Sequence, residues 1–156
     1  VILADTLKDK YSHDEIEVIL AHEFAHYRLK HLTKLIIANA LSTLAVFFLI
    51  YKTSGYLLGF FGFDSLSDIA ALPVILIYFI IFGVITKPLE AFISRSFERS
   101  ADSLALKTTG LKGAFISMMN KLSEQNLADR SPHPIIKFFF FDHPPIDERI
   151  KSAELS

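Results

Sequence analysis

The chain has 156 residues, a net charge of −1 and no cysteine. This excludes disulfide staples, thiolate metal sites and a cysteine nucleophile, and it leaves no Lys/Arg run to neutralise a nucleic-acid backbone. Apolar residues make up 51 %, Phe alone numbers 15, and mean hydropathy is +0.39, an apolar balance unusual for a soluble domain of this size.

The sequence opens on Val1-Ile2-Leu3 rather than Met, which predicts a piece of something longer. This short apolar stretch predicts a strand end. Ser12-His13-Asp14-Glu15 is a capping box, with Glu15 three residues after the cap. Asp14, Glu15 and Glu17 suit the positive end of a helix dipole. The helix continues through Ile16, Ile19, Leu20 and Phe24, and no Gly or Pro interrupts it before Gly55.

Residues 35–51 then run for 17 positions without a charge, and 69–86 for 18. Two such stretches in one short chain predict two membrane spans. Pro73 falls in the first turn of the second, and Lys87-Pro88 is expected to end it. Arg28, Lys30 and Lys34 precede the first span, while Lys87, Arg95 and Arg99 follow the second. The positive-inside rule puts these basic ends in the cytoplasm and the 52–68 loop outside. A further helical run covers 89–108, and Gly110 and Gly113 punctuate it. An amphipathic helix over 114–127 carries Phe115, Met118, Met119 and Leu122 along one side, a pattern read as core packing. The four prolines of 131–145 predict a loop or short strand. Its Phe138-Phe139-Phe140-Phe141 block is open between core and the wall of an apolar binding site. A short helix closes the chain over 146–155.

The chemistry lies in His22-Glu23-Phe24-Ala25-His26, an H-E-x-x-H sequence inside the first helix. Residues four apart share a helix face, about 5–6 Å apart at Cβ. Two imidazoles there can reach one tetrahedral zinc, and Glu23 falls close enough to take a proton from a water that zinc has acidified. A catalytic zinc needs a third protein ligand and an open position. In Glu98-Arg99-Ser100-Ala101-Asp102, Glu98 and Asp102 are again four apart. One carboxylate can bind metal while the other orients a ligand histidine. His31, five residues past His26, is expected on a different face. His133, between two prolines, is expected to be structural. His143, held by Pro144 and Pro145, can donate to a developing oxyanion or make a local loop bond.

These residues resemble the type I CAAX prenyl protease family of membrane zinc metalloproteases and its bacterial heat-shock relatives. Asp5-Thr6-Leu7, the helix from Ile19 to His26, the segment from Ser94 to Asp102, and Asp142-His143-Pro144-Pro145-Ile146-Asp147-Glu148-Arg149-Ile150 match in order. The resemblance implies a mainly α, helical integral membrane metalloprotease domain with two spans and little β. It makes 1–156 the catalytic region of a longer membrane protein whose further N-terminal transmembrane helices precede it. It implies one zinc held by His22, His26 and Glu98, with Glu23 as general base and Asp102 orienting a ligand. His143 and Arg149 become substrate-side or oxyanion-side residues. The expected reaction is peptide hydrolysis, removing the C-terminal tripeptide of a prenylated or similar membrane-anchored peptide. The alternatives are a protease that clears misfolded membrane proteins and a non-catalytic module with a structural zinc. The expected setting is the cell membrane of a prokaryote or the endoplasmic reticulum of a eukaryote, with the site towards the cytoplasm.

Overall fold

The computed structural model describes residues 9–63, 65–125 and 129–156. The strand expected at Val1-Ile2-Leu3 and the Asp5-Thr6-Leu7 match lie outside them. The described residues are helical and contain no strand: α1 (His13–Arg28), α2 (His31–Phe61), α3 (Leu72–Thr109, entered through a 3₁₀ turn at Ile69–Ala71), α4 (Lys112–Gln125), α5 (Pro134–Phe140) and α6 (Ile146–Glu154). They form two compact units, one of Val1–Leu32 with Leu89–Ser156 and one of Thr33–Pro88.

In the first unit, α1 begins on the expected capping box. The Ser12 backbone N–H donates to Glu15 Oε2 at 2.7 Å, and the Glu15 N–H donates to Ser12 Oγ. Glu15 is also buried and tied to α4: Ser117 Oγ donates to its Oε1 at 2.6 Å and Lys121 Nζ to its Oε2 at 2.7 Å. Burial alone raises the carboxyl pKa, but these bonds outweigh it and hold it at about 2. Next to this network lies the core, where Val18 of α1 meets Phe115, Met118 and Met119 of α4, Leu106 of α3 and Ala153 of α6. Phe115 is fully buried, and truncating such a side chain costs about 3–5 kcal/mol. The Met pair is therefore core, as its spacing suggests.

The second unit pairs the apolar part of α2 with the first turns of α3. Thr53 Oγ1 and Tyr78 Oη are 2.5 Å apart, and Phe47 meets Phe79 edge-on at 5.7 Å. Both helices are long and apolar enough to cross a membrane, and only 11 % and 6 % of their most apolar stretches are buried within the chain. A core helix of a soluble protein would bury most of that surface; Leu41, Leu44, Phe48, Ile80 and Ile85 all face outward here.

Four boundaries differ from the sequence expectation, and one is the 52–68 loop, whose residues 52–61 belong to α2. The first helix does not run on into the second: it ends at Arg28 with Leu29 as its cap, and Lys30 takes a left-handed φ of 55° before α2 starts. Lys87-Pro88 does not end the second span, because α3 continues through Pro88 to Thr109. A proline forfeits one backbone bond, and an apolar helix with several turns on either side tolerates that loss. The segment expected to be loop or strand contains α5. Pro134 sits in its first turn, where its fixed φ is pre-organised, and His133 caps it by accepting from the Ile135 N–H. At the other helix ends, Gly62 and Gly110 take φ of 72° and 67° just past α2 and α3, the left-handed C-terminal cap that glycine allows.

Candidate metal centre

One turn of α1 brings His22 and His26 together, with their Nε2 atoms 3.1 Å apart. Glu98 of α3 closes the group: its Oε2 lies 3.5 Å from His22 Nε2 and its Oε1 3.3 Å from His26 Nε2. Zinc bonds of about 2.0–2.2 Å set tetrahedral edges of roughly 3.3–3.6 Å. The contacts of 3.1, 3.3 and 3.5 Å fall near those lengths, with the two to Glu98 ending on different oxygens, and the three side chains offer ligand atoms within 4.8 Å of one another that could hold one cation. Two imidazoles and a carboxylate are a donor set that suits zinc. Burial pulls the His22 imidazole down, yet Asp102 and Glu98 overcome it and raise its pKa to about 9. Burial, then the charge of His22, pull His26 down. The same centre thus drives its two imidazoles in opposite directions.

Asp102 lies one turn beyond Glu98 and is 6 % exposed. Its Oδ1 is 2.9 Å from His22 Nδ1, a close ion-pair contact that is not aligned as a hydrogen bond. The two motifs are thus brought together at His22 and Asp102. Arg149, expected on the substrate side, lines the cavity and also grips Asp102. Its Nε donates to Asp102 Oδ2 at 2.7 Å and its Nη2 to Asp102 Oδ1 at 2.6 Å, with Glu98 Oε2 3.6 Å away. A planar guanidinium matches a carboxylate in this two-pronged way, so α6 delivers a clamp on Asp102.

His143 stands at the cavity mouth, its Nε2 3.7 Å from Glu98 Oε1 and its Nδ1 2.9 Å from Asp142 Oδ1. Two devices hold its loop. Pro144 and Pro145 are buried, and Arg95 Nη1, on α3, donates to the carbonyls of Lys137 at 3.1 Å and Phe141 at 2.5 Å. These carbonyls belong to the C-terminal end of α5, where a cation is favoured. Arg95, Glu98 and Asp102 therefore form one stripe on α3. Phe138 and Phe140 are exposed, whereas Phe141 lines the cavity. That cavity, about 660 Å³, is lined by polar His22, Glu23, His26, Glu98 and His143 and by apolar Met118, Met119 and Leu122. Glu23 is exposed to it and makes no side-chain hydrogen bond or ion pair among the described residues.

Sequence reasoning missed His31. It is 2 % exposed, with its Nδ1 3.1 Å from His26 Nδ1 and its Nε2 3.2 Å from Ser100 Oγ. Counting five residues along a continuous helix turns it away. The turn at Lys30 brings it back.

The model of Peptidase family M48 matches residues 1–155. The "Uncharacterized metalloprotease YhfN" of Bacillus subtilis is 32 % identical over 99 % of this chain and 37 % of its own length. CAAX prenyl protease 1 of Saccharomyces cerevisiae is 30 % identical over 99 % of this chain and 38 % of its own. Protease HtpX of Chromohalobacter salexigens is 28 % identical over the whole of this chain and 58 % of its own. The chain thus spans from under two fifths to under two thirds of these relatives. The crystal structure of S. mikatae Ste24p superposes with a TM-score of 0.80 at 24 % identity, covering 97 % of this chain and 38 % of that one, which shows a shared fold.

Proposed function

The chain belongs to peptidase family M48, and from that premise we propose that it is the catalytic region of a membrane-embedded zinc endopeptidase. The observation that carries this reading is the cluster of His22 Nε2, His26 Nε2 and the Glu98 carboxylate, with Glu23 beside it in an open cavity. When bound there, zinc supplies Lewis-acid polarisation of a peptide carbonyl and acidifies water. The chain's own groups do the rest. Glu23 takes the proton of the attacking water and later passes it to the leaving amine. Asp102 orients His22, and Arg149 keeps Asp102 ionised and fixed. Asp142 holds His143 Nδ1, which leaves Nε2 facing the cavity as the group nearest a substrate oxygen.

The two apolar helices support a lipid bilayer as the setting, and their basic flanks support a cytoplasmic active side. Likeness to CAAX prenyl protease 1 over 99 % of the chain supports a prenylated or similar membrane-anchored peptide as substrate. Likeness to Protease HtpX supports a second reading, cleavage of other membrane proteins at the same site. Cleavage of a farnesylated C-terminal peptide against cleavage of an unfolded membrane protein separates the two. For the reaction itself, Glu23→Gln in the full-length protein should lose about 10²–10⁴-fold in rate while retaining one zinc per chain. Retained cleavage would remove Glu23 as the base. Retained zinc in a wild type that cleaves nothing would leave a structural metal.

A further inference from the structure

We infer that His31 is a positioning residue for the metal, setting the tautomer of His26 through a hydrogen-bond relay anchored on a backbone carbonyl. This inference rests on the zinc reading of His22, His26 and Glu98.

The relay can be traced from its far end. Ser100 Oγ lies 2.8 Å from the Phe97 carbonyl oxygen and 3.2 Å from His31 Nε2. A carbonyl only accepts, and a hydroxyl has one proton. The shorter contact takes that proton, so Ser100 Oγ accepts from His31 Nε2–H. In the neutral ring, Nδ1 of His31 then carries the lone pair. That Nδ1 is 3.1 Å from His26 Nδ1, so His26 Nδ1 must donate. The proton of His26 is thereby fixed on Nδ1, and its Nε2, 3.3 Å from Glu98 Oε1 and 3.1 Å from His22 Nε2, presents a lone pair to the metal. With Ser100 Oγ donating to the Phe97 carbonyl and the His31 ring neutral, the links run in this one direction.

Packing holds the relay still. The His31 ring stacks on Phe97 with centroids 4.3 Å apart and planes 5° from parallel, and it meets His26 edge-on at 4.9 Å. The left-handed Lys30 is what delivers His31 to this place at the head of α2. His22 has Asp102 as its partner on the ring edge away from the metal. His31 fills the same position for His26, so each zinc histidine has its own orienting group.

The test is the zinc dissociation constant, from chelator competition on the full-length protein in detergent, together with the visible spectrum after cobalt substitution. His31→Phe keeps the stack on Phe97 and removes the acceptor. It should weaken zinc about 10–100-fold, the usual cost of losing such an outer partner, and perturb the cobalt bands. His31→Asn places an amide oxygen where Nδ1 accepts, and should recover most of that loss. Wild-type affinity in His31→Phe overturns the inference, as does an Asn variant no better than Phe, which would make His31 a packing residue. If the Phe variant does not fold, Ser100→Ala decides: weaker zinc binding is expected, and unchanged binding overturns the relay. A wild type that binds no zinc overturns the zinc reading and the relay together, whereas zinc binding unaffected by these changes overturns the relay alone.

Discussion

Replacing Arg149 by Met asks whether this residue serves the substrate or the scaffold of the site. Arg149 and Asp102 are both nearly buried, with side-chain exposures of 11 % and 9 %, and they share two bonds of 2.6 and 2.7 Å. Hydrogen bonds to charged groups contribute about 1.5–3 kcal/mol each. Removing one partner of a buried pair costs about 3–5 kcal/mol, because the remaining charge is left uncompensated. Both routes give a destabilisation of about 3–5 kcal/mol for Arg149→Met. Arg149→Lys retains the charge but loses the fork, and should cost about 1.5–3 kcal/mol. Thermal unfolding in detergent, with chelator present, reads the loss directly. Zinc affinity should fall in the same order, Arg above Lys above Met, because a displaced Asp102 no longer orients His22. A Met variant with wild-type unfolding and zinc affinity but a raised KM would refute this reasoning and return Arg149 to the substrate.

Glu98→Ala should abolish tight zinc binding, measured by metal stoichiometry after dialysis; full occupancy would mean that another group is the third ligand. Glu15 sits well below its ordinary pKa of 4.5, at about 2, a difference worth about 3 kcal/mol at about 1.4 kcal/mol per pH unit. Because the folded value is the lower one, that stability is complete above pH 4.5 and drains away as pH falls towards 2. Glu15→Gln should therefore destabilise the protein at neutral pH and flatten the acid limb of its unfolding profile; a limb as steep as wild type would place the acid-labile group elsewhere. Lys30→Gly should stabilise by about 0.5–1 kcal/mol, since a left-handed φ is costly for a side chain with Cβ and free for glycine; a lower unfolding temperature would show that Lys30 contributes a contact that outweighs its strain.

The parts of the site that could be read from sequence are those held by one helix. His22 and His26, or Glu98 and Asp102, lie four residues apart, and helical geometry alone puts each pair on one face. The capping box at Ser12 and the apolar runs of α2 and α3 are local in the same sense. What escaped was tertiary or sat on an unmarked turn. Nothing local to Arg149 says that its fork will meet Asp102, 47 positions earlier. The break before His31 has Lys rather than Gly or Asn at the left-handed position, so it lacks the usual composition signal. Pro88 and Pro134 were read for what proline removes, whereas one is absorbed inside a long helix and the other starts a short one.

The stripe of Arg95, Glu98 and Asp102 makes α3 behave as a single phased reading frame. A candidate metal donor, the carboxylate beside His22, and the cation that pins the His143 loop are offset by three and four residues on one rod. Each residue advances the helix by about 100°. Deleting one residue between Arg95 and Asp102 would therefore rotate the later groups away from the earlier ones, while keeping every functional side chain in the sequence. Here spacing is as much a part of the site as composition, and α3 can exchange side chains between those positions far more freely than it can gain or lose one.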